Sequence, residues 1–330
     1  MESDILCYVC GNKSNLIYQD YPGYVEGTKY HIYHCPDCNT NFIDQNSIDI
    51  SIYDLIYSQK KVLGYDRYFN YAEKVKTEKN PLKYLAFSES MYYPVYRYLK
   101  GKKNLRILEV GCGNGYLSYS MNKLGHNVTG IDLSANAIAN AKKNYGNYFV
   151  NSSVEDFSKN NNEKYDLIVS TEVIEHVKNP VLFFKELYHL LNKNGTLILT
   201  TPDMGFTKND SIWFTDLPPV HLFWFSYQSF QQICTVNKYK YKFFNYKTYF
   251  PKNDNRLVRY FRFRNESIQN PLLNKEGVPI DNYDLSLDYF PRKQIKNILL
   301  KFPPVRFITN LFYNLLINKD ITLCIMVTKE

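Results

Sequence analysis

The chain has 330 residues, 45% of them hydrophobic and 22% charged, with a formal net charge of +8. That composition can bury a sizeable core, which excludes a mostly disordered or fibrous protein, and the length allows two domains or one enlarged one. The charge is uneven, with 2 Lys+Arg against 7 Asp+Glu in residues 1–50 and 16 against 8 in residues 240–330, so it does not mark a nucleic-acid-binding protein as a whole.

Four of the seven cysteines open the chain as two C-x2-C pairs, Cys7/Cys10 and Cys35/Cys38. Two such knuckles place four thiolates where they can close a tetrahedral zinc site. Gly11 and Asn39 follow the pairs, and both tolerate the positive φ that turns backbone N–H groups toward sulfur. Residues 16–34 alternate enough to predict ribbon strands joined through Pro22-Gly23. Four thiolates leave no open position for water, so the expected zinc is structural rather than catalytic. The acidic balance of this segment argues against RNA phosphate as its target.

From residue 105 the pattern changes to apolar runs alternating with helical stretches, the mark of a parallel sheet with crossover helices. Strands are predicted over 105–110, 128–131, 165–170 and 196–201. Helices are predicted over 116–124, from a Ser134 cap through 143, and over 180–191. The first strand runs into Gly111-Cys112-Gly113-Asn114-Gly115. Tyr116 stands where a dinucleotide fingerprint would have its third glycine, and the Gly-Lys-Ser/Thr of a P-loop is absent. What remains is a glycine turn that lets a ligand lie against the backbone, with Asp132 ending the second strand where a carboxylate accepts ribose hydroxyls. Glu109, just before the turn, can hold a ligand ammonium.

Past the ends of the later strands, Glu172, Glu175 and His176 are spaced to share one face if their segment is helical. Two carboxylates and an imidazole also suit a divalent ion. His221 follows Pro218-Pro219 in a comparable place, and without a metal either histidine could act as general base.

EVGCGNG from Glu109, GIDLS from Gly130, Ser153-Val-Glu-Asp156-Phe and YDLIVSTEVIEHV from Tyr165 together resemble the class I S-adenosylmethionine-dependent methyltransferases. The resemblance implies a doubly wound, mostly parallel, seven-stranded Rossmann-like α/β sheet. It implies that Gly111, Gly113 and Gly115 hold the methionine portion and Asp132 the ribose. Leu133 and Asp156 would flank or bond the adenine, and Thr171 would line the pocket. The E-x-x-E-H run resembles the metal-binding segment of the ubiquinone-pathway O-methyltransferases and of the small-RNA 3′-terminal 2′-O-methyltransferases. That implies Mg or Mn at Glu172, Glu175, His176 and His221. The expected organisation is a zinc ribbon over 1–50, a helical linker and cofactor lid over 51–104, and a methyltransferase domain over 105–330.

Downstream, a helix over 227–235 and strands over 241–249 and 321–327 complete the order, with an insertion at about 250–320 before the last strand. The insertion carries Arg256, Arg259, Arg262 and Arg264, a set suited to bidentate phosphate contacts or to a solvated basic face. An amphipathic helix over 305–317 is expected to pack its apolar side on the domain. Tyr92, Tyr93 and Tyr96 fall on a helix before the first strand and read as lid or core. No apolar run approaches a membrane span, and the expected compartment is the cytoplasm. A zinc ribbon beside such a core is similar to nucleotide-sugar methyltransferases. The expected activity is methylation of a small-molecule hydroxyl, a sugar or nucleotide sugar foremost, with a phosphorylated acceptor included. RNA methylation is the alternative, and a non-catalytic binding protein a third reading.

Overall fold

The computed structural model describes residues 5–44, 52, 62, 66–206, 212, 214–252, 255–257, 260, 271–280, 302–317 and 320–330. The N-terminal ribbon consists of β1 (Asn15–Pro22), β2 (Lys29–Cys35) and β3 (Thr40–Ile43), paired antiparallel in that order. Gly11 (φ 78°) and Asn39 (φ 51°) both take the left-handed backbone expected of the knuckle residues.

Helices α1 (Asp66–Thr77), α2 (Pro81–Ser88) and α3 (Tyr93–Leu99) follow. The main sheet then begins with β4 (Arg106–Val110), α4 (Tyr116–Asn122), β5 (Asn127–Asp132) and α5 (Ala135–Tyr145). Ser134 caps α5, its Oγ accepting from Ala137 N at 3.2 Å. Next come β6 (Phe149–Asn151), α6 (Val154–Asn160), β7 (Tyr165–Thr171), α7 (Pro180–His189) and β8 (Leu191–Pro202). The chain finishes with β9 (Phe223–Trp224), α8 (Tyr227–Val236), β10 (Lys240–Phe243), α9 (Pro303–Leu316) and β11 (Thr322–Thr328). Neither β6 nor α6 is among the predicted elements. The strand predicted over 241–249 stops at Phe243 and gives way to a short helical turn at Tyr246–Thr248.

The seven-stranded sheet has the order β10-β11-β8-β7-β4-β5-β6. Its pairs are parallel from β8 through β6, and antiparallel at β8/β11 and β11/β10. The fold is therefore α/β with a mostly parallel seven-stranded sheet, as expected. Strand side chains alternate between faces, and the core divides accordingly. Leu108, Ile168, Leu197, Leu199 and Ile325 join the ribbon, α7 and α8 on one face. Ile107, Leu167, Val169, Ile198 and Met326 join α1 to α4 on the other. Tyr92 and Tyr93 are buried in this second cluster.

The ribbon is not a separate appendage. β3 pairs antiparallel with β9, setting Asn41 opposite Trp224 and Phe42 opposite Phe223, so a strand from beyond β8 completes its sheet.

Two expectations about the insertion are reversed. Arg256 is 2% exposed and pairs with Asp320 at 3.1 Å, while its Nη1 donates to the Tyr246 carbonyl at 2.9 Å and to Asn314. It braces the fold and does not read phosphate. Arg259, Arg262 and Arg264 lie outside the described residues. The buried side of α9 carries Asn310, Tyr313 and Asn314, which serve Arg256 and its surroundings, while Phe307, Ile308, Phe312 and Leu315 are exposed. The polar network, not the apolar stripe, determines which side of α9 faces inward. Among the described residues no helix is long and apolar enough to cross a membrane.

Candidate active site

The glycine turn lies between the end of β4 and the start of α4. Gly111 has φ 76°, and a Cβ there would meet Val173 Cγ2 at 2.3 Å. Gly113 has φ 48°, and a Cβ there would meet nothing within 4 Å. The first glycine thus serves internal packing, and the second borders open space, as a cradle for a ligand requires.

Asp132 organises this cradle. Gly113 N donates to its Oδ2 and Ser134 N to its Oδ1, both at 2.8 Å. A carboxylate has roughly four lone-pair positions, so each oxygen retains capacity for a ligand hydroxyl. Burial raises its pKa, opposed by the N–H donors of Ser134 and Gly113. Glu109 is 2% exposed and accepts from Ser118 Oγ at 2.5 Å. Burial lifts it to about 8, so it holds a proton at neutral pH until a cationic group faces it. Leu133 is 73% exposed beside Asp132, and Asn151 Nδ2 donates to the Leu133 carbonyl at 2.8 Å and to the Asp132 carbonyl at 2.9 Å. Asp156 is exposed in the first turn of α6, and Thr171 is half-buried at the end of β7.

The Glu172–His176 segment departs from the expected helix. Only Ile174–His176 forms a single tight turn, and Glu172 precedes it at φ 54°. Thr200 Oγ1 donates to Glu172 at 3.0 Å and Thr201 Oγ1 to Glu175 at 2.9 Å. Neighbouring residues of β8 face opposite sides of the sheet, so the two carboxyls part. Asp216, and after it Arg67 and Glu89, act electrostatically on Glu172.

Glu175, His176 and His221 converge, with one ligand atom of each within 4.8 Å of the others. The structure thus brings together three of the four residues expected around a divalent ion, and Glu172 stands apart. Glu175 Oε1 and His221 Nδ1 are buried with no hydrogen-bond partner among the described residues. His176 Nδ1 lies 2.6 Å from the Val220 carbonyl, which can only accept, so the proton sits on Nδ1 and Nε2 presents a lone pair. The two imidazoles meet edge to face at 4.7 Å.

Burial holds His176 down at about 4, against the raising effect of the Val220 carbonyl. Burial, and then His176, push His221 below its usual range. Such imidazoles are poor proton acceptors near neutral pH, and the neutral form is the one that ligates metals. Burial, with Glu172 next, raises Glu175 well above the carboxylate range, and burial lifts Glu172 to about 8.

Asp216 was not apparent from the sequence as a site residue. Its Oδ1 lies 3.8 Å from His221 Nε2 and accepts from Thr215 Oγ1 at 2.8 Å. Arg67 was also missed. It pairs with Glu89 at 3.1 Å, and its guanidinium lies 4.9 Å from the Tyr68 ring centroid. Tyr68 stacks on Tyr116, the first residue of α4, and Tyr92 and Tyr116 share a hydroxyl contact at 2.6 Å. An acid five residues before a buried histidine was the only hint of Asp216, and no motif surrounds Arg67.

The four N-terminal sulfurs also converge within 4.8 Å. Cys7 and Cys38 are 3.5 Å apart, and Cys10 and Cys35 are 3.4 Å apart. A tetrahedral zinc with Zn–S near 2.3 Å spaces its sulfurs about 3.8 Å apart. The donor set and spacing fit zinc, and Val9 N pointing at Cys7 Sγ at 3.3 Å fits a thiolate.

A family model described as a methyltransferase domain matches residues 59–240. The ubiquinone biosynthesis O-methyltransferase of Glaesserella parasuis serovar 5 is 40% identical over 112 residues, covering 31% of this chain and 46% of that protein. Its counterpart in Pelagibacter ubique is 38% identical over 106 residues, covering 31% and 44%. The chain thus spans less than half the length of these curated relatives. Among solved structures, a SAM dependent methyltransferase from Archaeoglobus fulgidus is 16% identical with a TM-score of 0.47, over 79% of this chain and 99% of that one.

Proposed function

The chain belongs to the methyltransferase domain family matched over residues 59–240, and from that premise we propose that it transfers a methyl group from S-adenosylmethionine to a hydroxyl oxygen of a small molecule. The observation that carries the choice of a hydroxyl is the convergence of Glu175, His176 and His221, with Glu175 Oε1 and His221 Nδ1 buried and lacking a hydrogen-bond partner among the described residues. A carboxyl group that gives up its proton on binding and two neutral imidazoles can ligate a divalent cation, Mn²⁺ better than Mg²⁺, which prefers oxygen ligands. The relatives are named as O-methyltransferases, which supports the same reading. The expectation of a sugar or nucleotide sugar finds no counterpart in those names, and the buried Arg256 removes one of the phosphate contacts behind it.

When bound, the cofactor supplies a methyl group on a sulfonium, and the cation supplies positive charge that lowers the pKa of an acceptor hydroxyl. The protein does the positioning. Asp132 accepts the ribose hydroxyls while fixing Gly113 and Ser134. The open side of Gly113 lets the methionine portion lie against the backbone, and Glu109 faces its ammonium. Leu133 and Asp156 border the adenine, and Thr171 lines the wall. Glu175, His176 and His221 hold the cation, with Asp216 turned to the far nitrogen of His221. With the cofactor bound, an acceptor oxygen would bond to the methyl carbon as the carbon–sulfur bond breaks, its hydroxyl proton leaving to solvent. Alignment supplies most of the acceleration in such a displacement. Cys7, Cys10, Cys35 and Cys38 hold a structural zinc.

The test is methyl-label transfer before and after treatment with a mild chelator that spares the thiolate site. Transfer should fall by about tenfold or more and return with added Mg²⁺ or Mn²⁺. Unchanged turnover would remove the cation from the reaction.

A further inference from the structure

The segment carrying Asp216 and His221 contains little regular structure of its own. Its partners are the ribbon on one side and the Ile174–His176 turn on the other. Tyr24 N donates to the Pro218 carbonyl at 2.7 Å, and Ile43 N to the Leu222 carbonyl at 3.1 Å. β3 then pairs with β9, which begins two residues after His221. On the opposite side Leu222 N donates to the Glu175 carbonyl at 2.8 Å, and the Val220 carbonyl meets His176. Each residue fixed in one backbone conformation costs about 1–2 kcal/mol in entropy. A segment with few internal bonds therefore depends on such partners for its conformation.

The ribbon's end of this seam connects directly to the thiolates. Cys35 ends β2, and Cys38 lies two residues before Thr40, the first residue of β3. Thr40 Oγ1 lies 3.1 Å from Cys38 Sγ and donates to Ser229 Oγ in α8 at 2.7 Å. Phe42 packs against Phe223, and Tyr8, between the first two cysteines, meets both rings edge-on. Small metal-knuckle units gain much of their folding free energy from the ion.

We infer that the four-cysteine ribbon is the positioning element of the acceptor-side site: zinc at Cys7, Cys10, Cys35 and Cys38 holds β3, β3 holds β9, and β9 holds His221 in reach of Glu175 and His176. Tyr24, Ile43 and Phe42 are its positioning residues. The placement of the 214–224 segment stands on the seam itself, whereas the consequence for the cation rests on the reading under Proposed function.

The test compares the full chain with and without zinc, withdrawn by a strong thiol-competing chelator, and follows amide exchange of residues 214–224 against that of the β4–β7 core. Exchange over 214–224 should accelerate about tenfold or more while the core keeps its protection. Trp224 emission, read in a Trp213→Phe background, should change in parallel, because Trp224 Nε1 donates to the Asp216 carbonyl at 3.2 Å. Unchanged protection over 214–224 would overturn the inference. So would a common loss of protection across the whole chain, since the ribbon would then be a general stabiliser.

Phe223→Ala loosens the seam and leaves all four thiolates in place. It should keep its zinc but bind Mn²⁺ at Glu175, His176 and His221 about tenfold or more weakly. Equal Mn²⁺ affinity would count against positioning. If the zinc-loaded wild type binds no Mn²⁺, the cation reading fails and the exchange experiment still decides the positioning role.

Discussion

Replacing Gly113 with alanine should separate cofactor binding from folding, and Gly111→Ala provides the contrast. Both glycines have positive φ, so alanine at either position incurs about 1–2 kcal/mol of left-handed strain. At Gly111 the new methyl would also stand 2.3 Å from Val173 Cγ2, an overpacking that costs about 1–3 kcal/mol more. At Gly113 it meets nothing within 4 Å and projects into the space assigned to the methionine portion. Gly113→Ala should therefore lose about 1–2 kcal/mol of stability in a urea titration, and Gly111→Ala about 2–5 kcal/mol. Calorimetric titration with S-adenosylhomocysteine should show an affinity loss of about tenfold or more for Gly113→Ala, the equivalent of 1.4 kcal/mol. Adding Val173→Ala to Gly111→Ala should recover part of the overpacking cost and none of the backbone strain. Unchanged affinity in Gly113→Ala would refute the cradle, and equal destabilisation at both positions would refute the division of labour between them.

Asp132→Ala removes two charge-assisted bonds to backbone N–H groups as well as the proposed ribose acceptor, so S-adenosylhomocysteine binding should be lost by calorimetry, and retained binding would contradict that role. Glu109 titrates near 4.5 in the unfolded chain and at about 8 when folded, so the folded state alone keeps its proton between those values. Stability of the ligand-free protein should therefore fall as pH rises through that window, with a contribution of up to about 1.4 kcal/mol per pH unit. Urea titrations from pH 5 to 8 should show Glu109→Gln with the smaller slope, and identical slopes would contradict the assignment. Arg256→Met strands Asp320 in a buried site and should cost about 3–5 kcal/mol by thermal or urea unfolding, whereas a loss within 1 kcal/mol would restore Arg256 as a surface residue.

The features set by backbone chemistry were the most legible in the sequence. Gly11 and Asn39 have the positive φ their residue types predict, and Ser134 caps its helix as expected. Continuous apolar runs identified β4, β5 and β7 because both faces of those strands are covered. The three-residue β6 was too short to show a period. β9 was also invisible, because its pairing with β3 joins residues about 180 positions apart and a two-residue strand carries no pattern. The site was legible as a list of residue types and not as a geometry. The spacing of Glu172, Glu175 and His176 suggested one helical face, but the positive φ at Glu172 and the alternation of Thr200 and Thr201 separate the two carboxyls. The inward, polar side of α9 escaped for a related reason. Its apolar stripe predicts a buried face only where no buried ion pair competes for the same side.

Methyl-label transfer from S-adenosylmethionine, in the presence of Mg²⁺ and across phenols, sugars and nucleotide sugars, and short RNAs, tests the central claim most directly. The account predicts label on an oxygen of a small hydroxylated acceptor, with loss of transfer in Asp132→Ala and strong reduction in Glu175→Gln. Label found on nitrogen or carbon, transfer to RNA alone, or full activity in Glu175→Gln would contradict it.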